Sequence, residues 1–513
     1  MILDLCKETD RHATRFMNNR INLVLALLAT LIITSGCEQG EPEVAKELAG
    51  STTEEMDQMK VGLAPRVRIN GQTQTLEERL KELHVPGVSM AILRNGELAW
   101  TLESGVRDIA TGVKVDSDTV FQAASISKPT FATVLMKYRQ DNALDLDVDV
   151  NELLTSWKLP EHVWTGQDPV SLRRLLSHTA GTTVHGFPGY SYGSDVPTLQ
   201  QVLDGEAPAN TDEVIADIQP GLKYRYSGGG TTIAQLTLQD VTGVHLTEMA
   251  KELLFDPLNM SRTGYYQPIN EGLSNNMSAP HNGDGTPVTG GAHTYATLAA
   301  AGMWTTPTDL LKLVSAVRGA YLGINTSLLS EQTAKEMLAR NASLEGIVDV
   351  GIGFFLVSSD DVELKGFGHG GSNEGFISTV HIDVESGDGY AIMTNSNNGG
   401  QLITELEIRI SEVLGIGELK PIVKSIVDIG SDALSEFTGN YYIERMATDV
   451  TLAETENGFS LTALPYRENQ MYWHEGDGVF FALDGTIIKF ERDDDGKITT
   501  MVISDRIRAD RVD

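Results

Sequence analysis

This chain is poor in cysteine, aromatic residues and positive charge. Its 513 residues include 2 cysteines, 6% aromatics, and 39 Lys and Arg against 71 Asp and Glu, a net charge of −32. Two cysteines, Cys6 and Cys37, rule out a disulfide scaffold. The acidic balance argues against nucleic acid as a partner, because phosphate binding needs a basic patch. It argues equally against adhesion to an anionic membrane through surface charge. Spacings such as His-x-His are missing around His185, His281 and His293, so no metal and no cofactor is assigned. Asp493-Asp-Asp-Gly496 reads as a hairpin turn, since the ligand spacing of a calcium loop is absent.

Long apolar runs are also scarce. Leu23 to Ile33 is apolar but too short to span a bilayer, and Arg20 precedes it. Residues 1–37 read as an export signal, with Met17 as an alternative start. Thr34-Ser35-Gly36-Cys37 resembles a bacterial lipoprotein box with Thr where Leu is usual, which marks Cys37 for lipidation. An ordinary cysteine in a cleaved leader is the alternative. The expectation is an exported protein of the cell envelope or periplasm, tied to the outer membrane by a lipid anchor alone. Residues 38–65 read as an acidic linker.

What is present is enough apolar content, 41%, for one large core and a smaller one. Val88 to Leu93, Asn95-Gly96 and Glu97 to Leu102 read as a hairpin with a type I′ turn. Leu199 to Leu203, Thr231 to Val241 and Pro307 to Val317 read as helices, the last capped by Thr306. Strands return at Ser378 to Ile382 and Tyr390 to Thr394, and a helix from Leu402 to Val413 closes the domain. Strands at both ends of a mostly helical insert imply an α+β domain with one antiparallel sheet, over residues 66–415. Residues 416–430 read as a linker. Residues 431–513 alternate apolar and polar positions between turns at Asn457-Gly458, Asp484-Gly485 and Asp495-Gly496, and read as a small all-β barrel or sandwich.

Chemistry centres on Ser125 and Lys128. Phe131, Val134, Leu135 and Tyr138 recur at helical spacing, and Pro129 fits only in a first turn, so a helix begins at about Ser125. Lys128 follows at i+3 on the same face. A serine hydroxyl, an amine and a helix-terminal N–H are parts of an acyl-transfer site. A capping serine with a surface lysine is the bland alternative. Gly189-Tyr-Ser-Tyr-Gly193 matches a nucleophile-elbow pattern, but its flanks supply neither strand nor helix, so Ser191 is set aside.

Two later motifs bear on the choice. They are Tyr224-Arg-Tyr-Ser-Gly-Gly-Gly-Thr231 and Gly368-His-Gly-Gly-Ser-Asn-Glu-Gly375. With Ser125-x-x-Lys128, the chain resembles the serine β-lactamase-like family, in its class C and DD-peptidase branch, from about Leu76 to Gly415. Tyr226-Ser227-Gly228 stands where that family has Tyr-x-Asn, and His369-Gly370-Gly371 where it has Lys-Thr-Gly or His-x-Gly. Supporting stretches are Ser171 to Gly181 and Ala301 to Pro307. The resemblance implies a β-lactamase/transpeptidase-like fold and an acyl-enzyme on Ser125. Lys128 would take the proton as a neutral amine. Tyr226, ionising more easily beside that cation, would relay it. The N–H groups of Ser125 and Ser372 would form the oxyanion hole. His369, Gly370, Gly371 and Gly228 would line the substrate site, with His369 orienting a carboxylate or carbonyl. Core or structural roles for Tyr226 and His369 are the alternatives. His178 reads as a structural hydrogen-bonding residue. Gly228 in place of Asn, and His369 in place of Lys, favour a peptidase or esterase over a dedicated β-lactamase. The substrate is then a D-amino-acid peptide, a small ester or a β-lactam. The rival is a non-catalytic binder of cell-wall peptides that keeps the fold.

Overall fold

A computed structural model describes residues 52–164, 167–344, 348–359, 363–444, 448–463 and 467–512. The leader, the lipoprotein box and Cys37 lie outside the described residues. Residues from Glu54 onward form one compact unit.

Its centre is an antiparallel sheet of eight strands. In chain order they are β1 (Gly87–Arg94), β2 (Glu97–Gly105), β3 (Ala342–Leu344), β4 (Val348–Val350), β5 (Phe355–Ser358), β6 (Leu364–Asn373), β7 (Phe376–Asp383) and β8 (Gly389–Thr394). The spatial order is β2-β1-β8-β7-β6-β5-β4-β3. β1 and β2 join through Asn95 (φ 53°) and Gly96 (φ 83°), both left-handed, as a type I′ turn requires. β1 then pairs with β8, Val88 opposite Thr394 and Leu93 opposite Gly389. The two ends of the domain thus share one sheet.

Both faces of that sheet are covered. Met90 and Ile92 face a core made with Leu402, Leu406 and Ile410 of the closing helix, Gly399–Leu414. Ala91 and Leu93 face the opposite core, with Leu310, Leu313 and Val317 of the helix Pro307–Tyr321. Strand alternation sends neighbours to opposite faces, so β1 reads as continuously apolar. Between β2 and β3 lies the mostly helical insert. Helix α1 (Ser127–Asn142) runs through its middle, and every residue from Ser127 to Met136 is buried. Thr130 and Thr133 are tolerated there because their hydroxyls donate to Ile126 O and Pro129 O, at 2.9 and 2.8 Å.

The C-terminal module is a closed eight-stranded barrel from Gly439 to Arg511. Its interior is filled by Tyr441, Val450, Phe459, Tyr472, Phe480 and Met501.

Two stretches expected as linkers pack instead. Within 38–65, residues 54–59 are helical, and Met59 and Leu63 are fully buried in the sheet's core. Glu55 accepts from Trp100 Nε1 at 3.0 Å. Within 416–430, Ile416 is buried and Ile422–Lys424 pairs in parallel with Val67–Ile69. Val67 N also donates to Leu483 O of the barrel at 3.2 Å. Few apolar residues suffice when the partner is an existing sheet or strand edge.

Arg79 and Glu405 tie the N-terminal segment to the closing helix. The guanidinium makes two hydrogen bonds, 2.7 and 2.6 Å, and both side chains are 1% exposed. Removing Glu405 leaves the buried guanidinium with only the exposed Glu82 and with Gln74 as partners, and its Nε and Nη2 without a carboxylate. Glu405→Leu is therefore expected to destabilise the protein by about 3–5 kcal/mol, read as a lower urea midpoint. A change below about 1 kcal/mol would mean that the pair is not a structural clamp.

Candidate active site

The nucleophile turn begins at Phe121–Gln122, which pairs with Trp304–Thr305. Ala124 follows with φ 50°, a left-handed conformation that non-glycine residues rarely adopt. A short 3₁₀ turn, Ala124–Ile126, leads into α1. Ser125 is half-exposed while its neighbours on both sides are buried. The strained turn thus presents one hydroxyl to solvent from an otherwise closed wall. The helix starts two residues after the expected Ser125, because the 3₁₀ turn intervenes.

Lys128 Nζ lies 3.0 Å from Ser125 Oγ and donates to Ala300 O at 2.8 Å. The side chain is 3% exposed. Desolvation disfavours the ammonium and pushes its pKa down to about 7, which makes a neutral amine available near neutrality. The Ala300 carbonyl is itself held in place. Gln235 accepts from Ala299 N at 2.9 Å, and Ser127 Oγ accepts from Met303 N at 3.0 Å.

Tyr226 arrives from the other side. Ser227 caps the helix α2 (Gly228–Thr242) by accepting from Gly230 N at 2.8 Å, and Tyr226 directly precedes that cap. Lys128 Nζ sits 5.0 Å from the centroid of the Tyr226 ring, and the Ser125 hydroxyl is close enough to the phenol to favour its ionised form. The serine, the amine and the phenol therefore meet. One expectation is reversed. Tyr226 does not ionise more easily. Burial pushes its phenol up to about 12, outweighing the effect of Ser125. An adjacent amine that is itself largely uncharged gives the phenolate little help.

His178 and His185 flank the Tyr226 ring at centroid distances of 4.3 and 4.9 Å. Burial holds His178 neutral, and its Nδ1 accepts from Ser227 N at 3.2 Å. Gly228 offers no side chain to a substrate. A Cβ there would meet Phe187 Cε2 at 3.0 Å and His185 O at 3.1 Å.

β6 closes the third side. The motif Gly368-His-Gly-Gly lies within this strand rather than before it. A Cβ on Gly371 would stand 2.2 Å from Ala123 O, so only glycine lets β6 lie against the nucleophile turn. Gly370 has ordinary space. Ser372 is exposed beside Gly371. Asn373 donates to Gln122 Oε1 at 2.8 Å and to Ala301 O at 3.1 Å, clamping strand, turn and the Ala300 segment together. His369 is buried and stacks on Phe355 at 4.4 Å. Burial, then Lys128, pushes its pKa down to about 3. Ser191, by contrast, lies on an exposed loop against Ser194.

Sequence reading did not find Gln235, the Ala300 carbonyl, Gln122 or Phe355. Asn373 lay inside a quoted motif without a role, and its spacing from His369, i+4 in a strand, was the available signal.

Comparison with known proteins gives the family. Residues 73–414 match the Beta-lactamase family model, more than half of the chain, and the chain belongs to that family. "Penicillin-binding protein 4" of Amycolatopsis lactamdurans is 27% identical over 348 residues, 65% of this chain and 86% of that protein. "Protein flp" of Staphylococcus aureus is 25% identical over 38% of each chain. Among solved structures, a penicillin-binding protein homologue from Pyrococcus abyssi aligns over 85% of this chain and 98% of its own, with a TM-score of 0.57 and 18% identity. D-amino acid amidase from Ochrobactrum anthropi aligns over 72% of this chain and 99% of its own, with a TM-score of 0.53 and 22% identity. The family is one of serine hydrolases, and the structural likenesses establish the fold.

The protonation of Lys128 gives a testable pH dependence. The amine serves as a base only when neutral, and its neutral fraction rises with pH through about 7. Ester kcat/KM is expected to rise along one limb centred near pH 7 and then level off. A limb near pH 10 would show that Lys128 keeps an ordinary pKa. Lys128→Arg, which stays charged, is expected to be inactive across the whole range.

Proposed function

We propose that this protein is a serine hydrolase that cleaves amide or ester bonds through an acyl-enzyme on Ser125. The observation that carries the reading is the burial of Lys128 against Ser125 Oγ at 3.0 Å, with the Tyr226 ring centroid 5.0 Å from the same amine.

In this reading the neutral Lys128 amine accepts the Ser125 proton as Oγ attacks the scissile carbonyl carbon. The carbonyl oxygen becomes an oxyanion, and the N–H groups of Ser125 and Ser372 stabilise it. Collapse of the tetrahedral intermediate breaks the bond to the leaving group. Tyr226, as a neutral phenol, gives its proton to that group and is reprotonated by the Lys128 ammonium. Water then attacks the acyl-enzyme, with the proton moving in the opposite sense. The high phenol pKa fits a proton carrier that never rests as phenolate. The absence of a side chain at Gly228 and the neutral His369 support peptidase or esterase activity over dedicated β-lactam hydrolysis. The fold likeness to a D-amino acid amidase, and to "EstCE1, a hydrolase with promiscuous acyltransferase activity", is compatible with either bond type.

Labelling decides between this reading and a non-catalytic binder. A fluorophosphonate probe is expected to add to Ser125 in the wild-type chain and not in Ser125→Ala, which should also lose every hydrolytic activity. An unlabelled wild-type protein would sink the assignment. Tyr226→Phe is expected to keep the label while slowing amide turnover by roughly 10²-fold or more, with a smaller loss for activated esters whose leaving groups need no proton. Equal losses for both substrate types would remove Tyr226 from the leaving-group step.

A further inference from the structure

His369 carries a feature that the proton relay does not use. Its Nδ1 lies 2.5 Å from Gly370 O. A carbonyl oxygen only accepts, so Nδ1 holds the ring proton. In a neutral imidazole, Nε2 is then a bare acceptor. That atom is buried and has no partner among the described residues, on a residue 5% exposed. The ring cannot turn away easily, because Phe355 lies parallel to it within 16° at 4.4 Å. The Tyr226 ring stands 6.2 Å away across the site. A buried acceptor fixed in this way and left unsatisfied is costly, and sites that keep one keep it for a donor.

We infer that His369 Nε2 accepts a hydrogen bond from an N–H of the substrate, so that the site selects carboxamide- or ammonium-bearing substrates over those presenting a carboxylate. The inference rests on the serine hydrolase reading and reverses the expected polarity of His369. An imidazolium would pair with a carboxylate, whereas this neutral ring repels one through its lone pair.

An adjoining cavity points the same way. It measures about 780 Å³ and shares His185 with the Tyr226 environment. Asp204, Asp212 and Glu213 line it. So does Thr211, whose buried hydroxyl has no partner among the described residues. Asp204 also accepts from Trp157 Nε1 at 2.7 Å. A concave wall with three carboxylates sets up a negative potential in this cavity on the far side of His185, which disfavours anionic groups there and favours ammonium groups. A free carboxylate would meet a bare acceptor at His369.

The test uses a matched pair, D-alanyl-D-alanine and D-alanyl-D-alaninamide, as competitors of p-nitrophenyl acetate turnover by the full chain. Competition reads binding whether or not either dipeptide is cleaved. The carboxamide is expected to inhibit at least roughly tenfold more strongly than the free acid. N-acetylation of the carboxamide separates the two donor sources. An unchanged inhibition constant assigns the contact to an amide N–H, and a weakened one assigns it to the ammonium. His369→Lys, which supplies a donor in place of the acceptor, is expected to narrow or invert the ratio. Equal inhibition by the two dipeptides, stronger inhibition by the free acid, or no inhibition by either overturns the inference, and none of these needs the variant to fold. If the ester is not turned over and no probe adds to Ser125, it is the hydrolase reading that fails.

Discussion

Everything at this site depends on keeping one lysine out of water without giving it a counter-charge. Lys128 is buried, and its partners are a hydroxyl and a backbone carbonyl. A carboxylate in contact would restore the ammonium and raise the pKa. Burial alone lowers it, so the amine works as a base near neutrality. The cost of holding a group in its less favoured state is met by the packing around it. The part of α1 from Ser127 to Met136 is buried on all sides, unlike a surface helix with one apolar stripe. The sheet, the α2 helix and the Ala300 segment close over it. Amide and hydroxyl hydrogen bonds from Gln235, Ser127 and Asn373 fix that shell without adding charge.

The same constraint explains the protonation of its neighbours. Tyr226, His178 and His369 are all held neutral, the phenol by a raised pKa and the imidazoles by lowered ones. A charge on any one of them would be poorly solvated and would act on Lys128. Where the groups around a nucleophile are all uncharged at rest, protons move between them without ions having to be resolvated. The backbone supplies the rest. Ala124 in a left-handed conformation pushes Ser125 forward, and Gly371 lets β6 reach within contact of Ala123. Strain on one side and a missing side chain on the other together define the width of the cleft.

Much of this could be read in the sequence, and the limits follow from physics. The Asn95-Gly96 turn was legible because only residues tolerant of positive φ suit it. Ser125 and Lys128 were legible because Pro129 restricts where a helix can start. Alternation and turn dipeptides marked the C-terminal module as all-β, though closure into a barrel depends on pairing that no local pattern encodes. Tyr226 and His369 came from family resemblance, because residues that far apart in sequence give no spacing signal. The packed segments at 54–65 and 416–430 were missed for a related reason. Their partners, such as Trp100 for Glu55 and Val67–Ile69 for Ile422–Lys424, are remote in the chain. Composition registers their polarity but not the edge or pocket waiting for them.

Protonation was the least legible property. Tyr226 was expected to lose its proton readily because a lysine stands beside it. That holds if the lysine is charged. Burial lowers the pKa of the lysine to about 7 and also opposes charge on the phenol, so two inferences that look independent in sequence fail together. The same logic turns His369 from a residue expected to orient a carboxylate or carbonyl into an acceptor suited to N–H donors. In this family-typical scaffold, substrate preference then follows less from which residues stand in the motif positions than from how dry the cleft is around them.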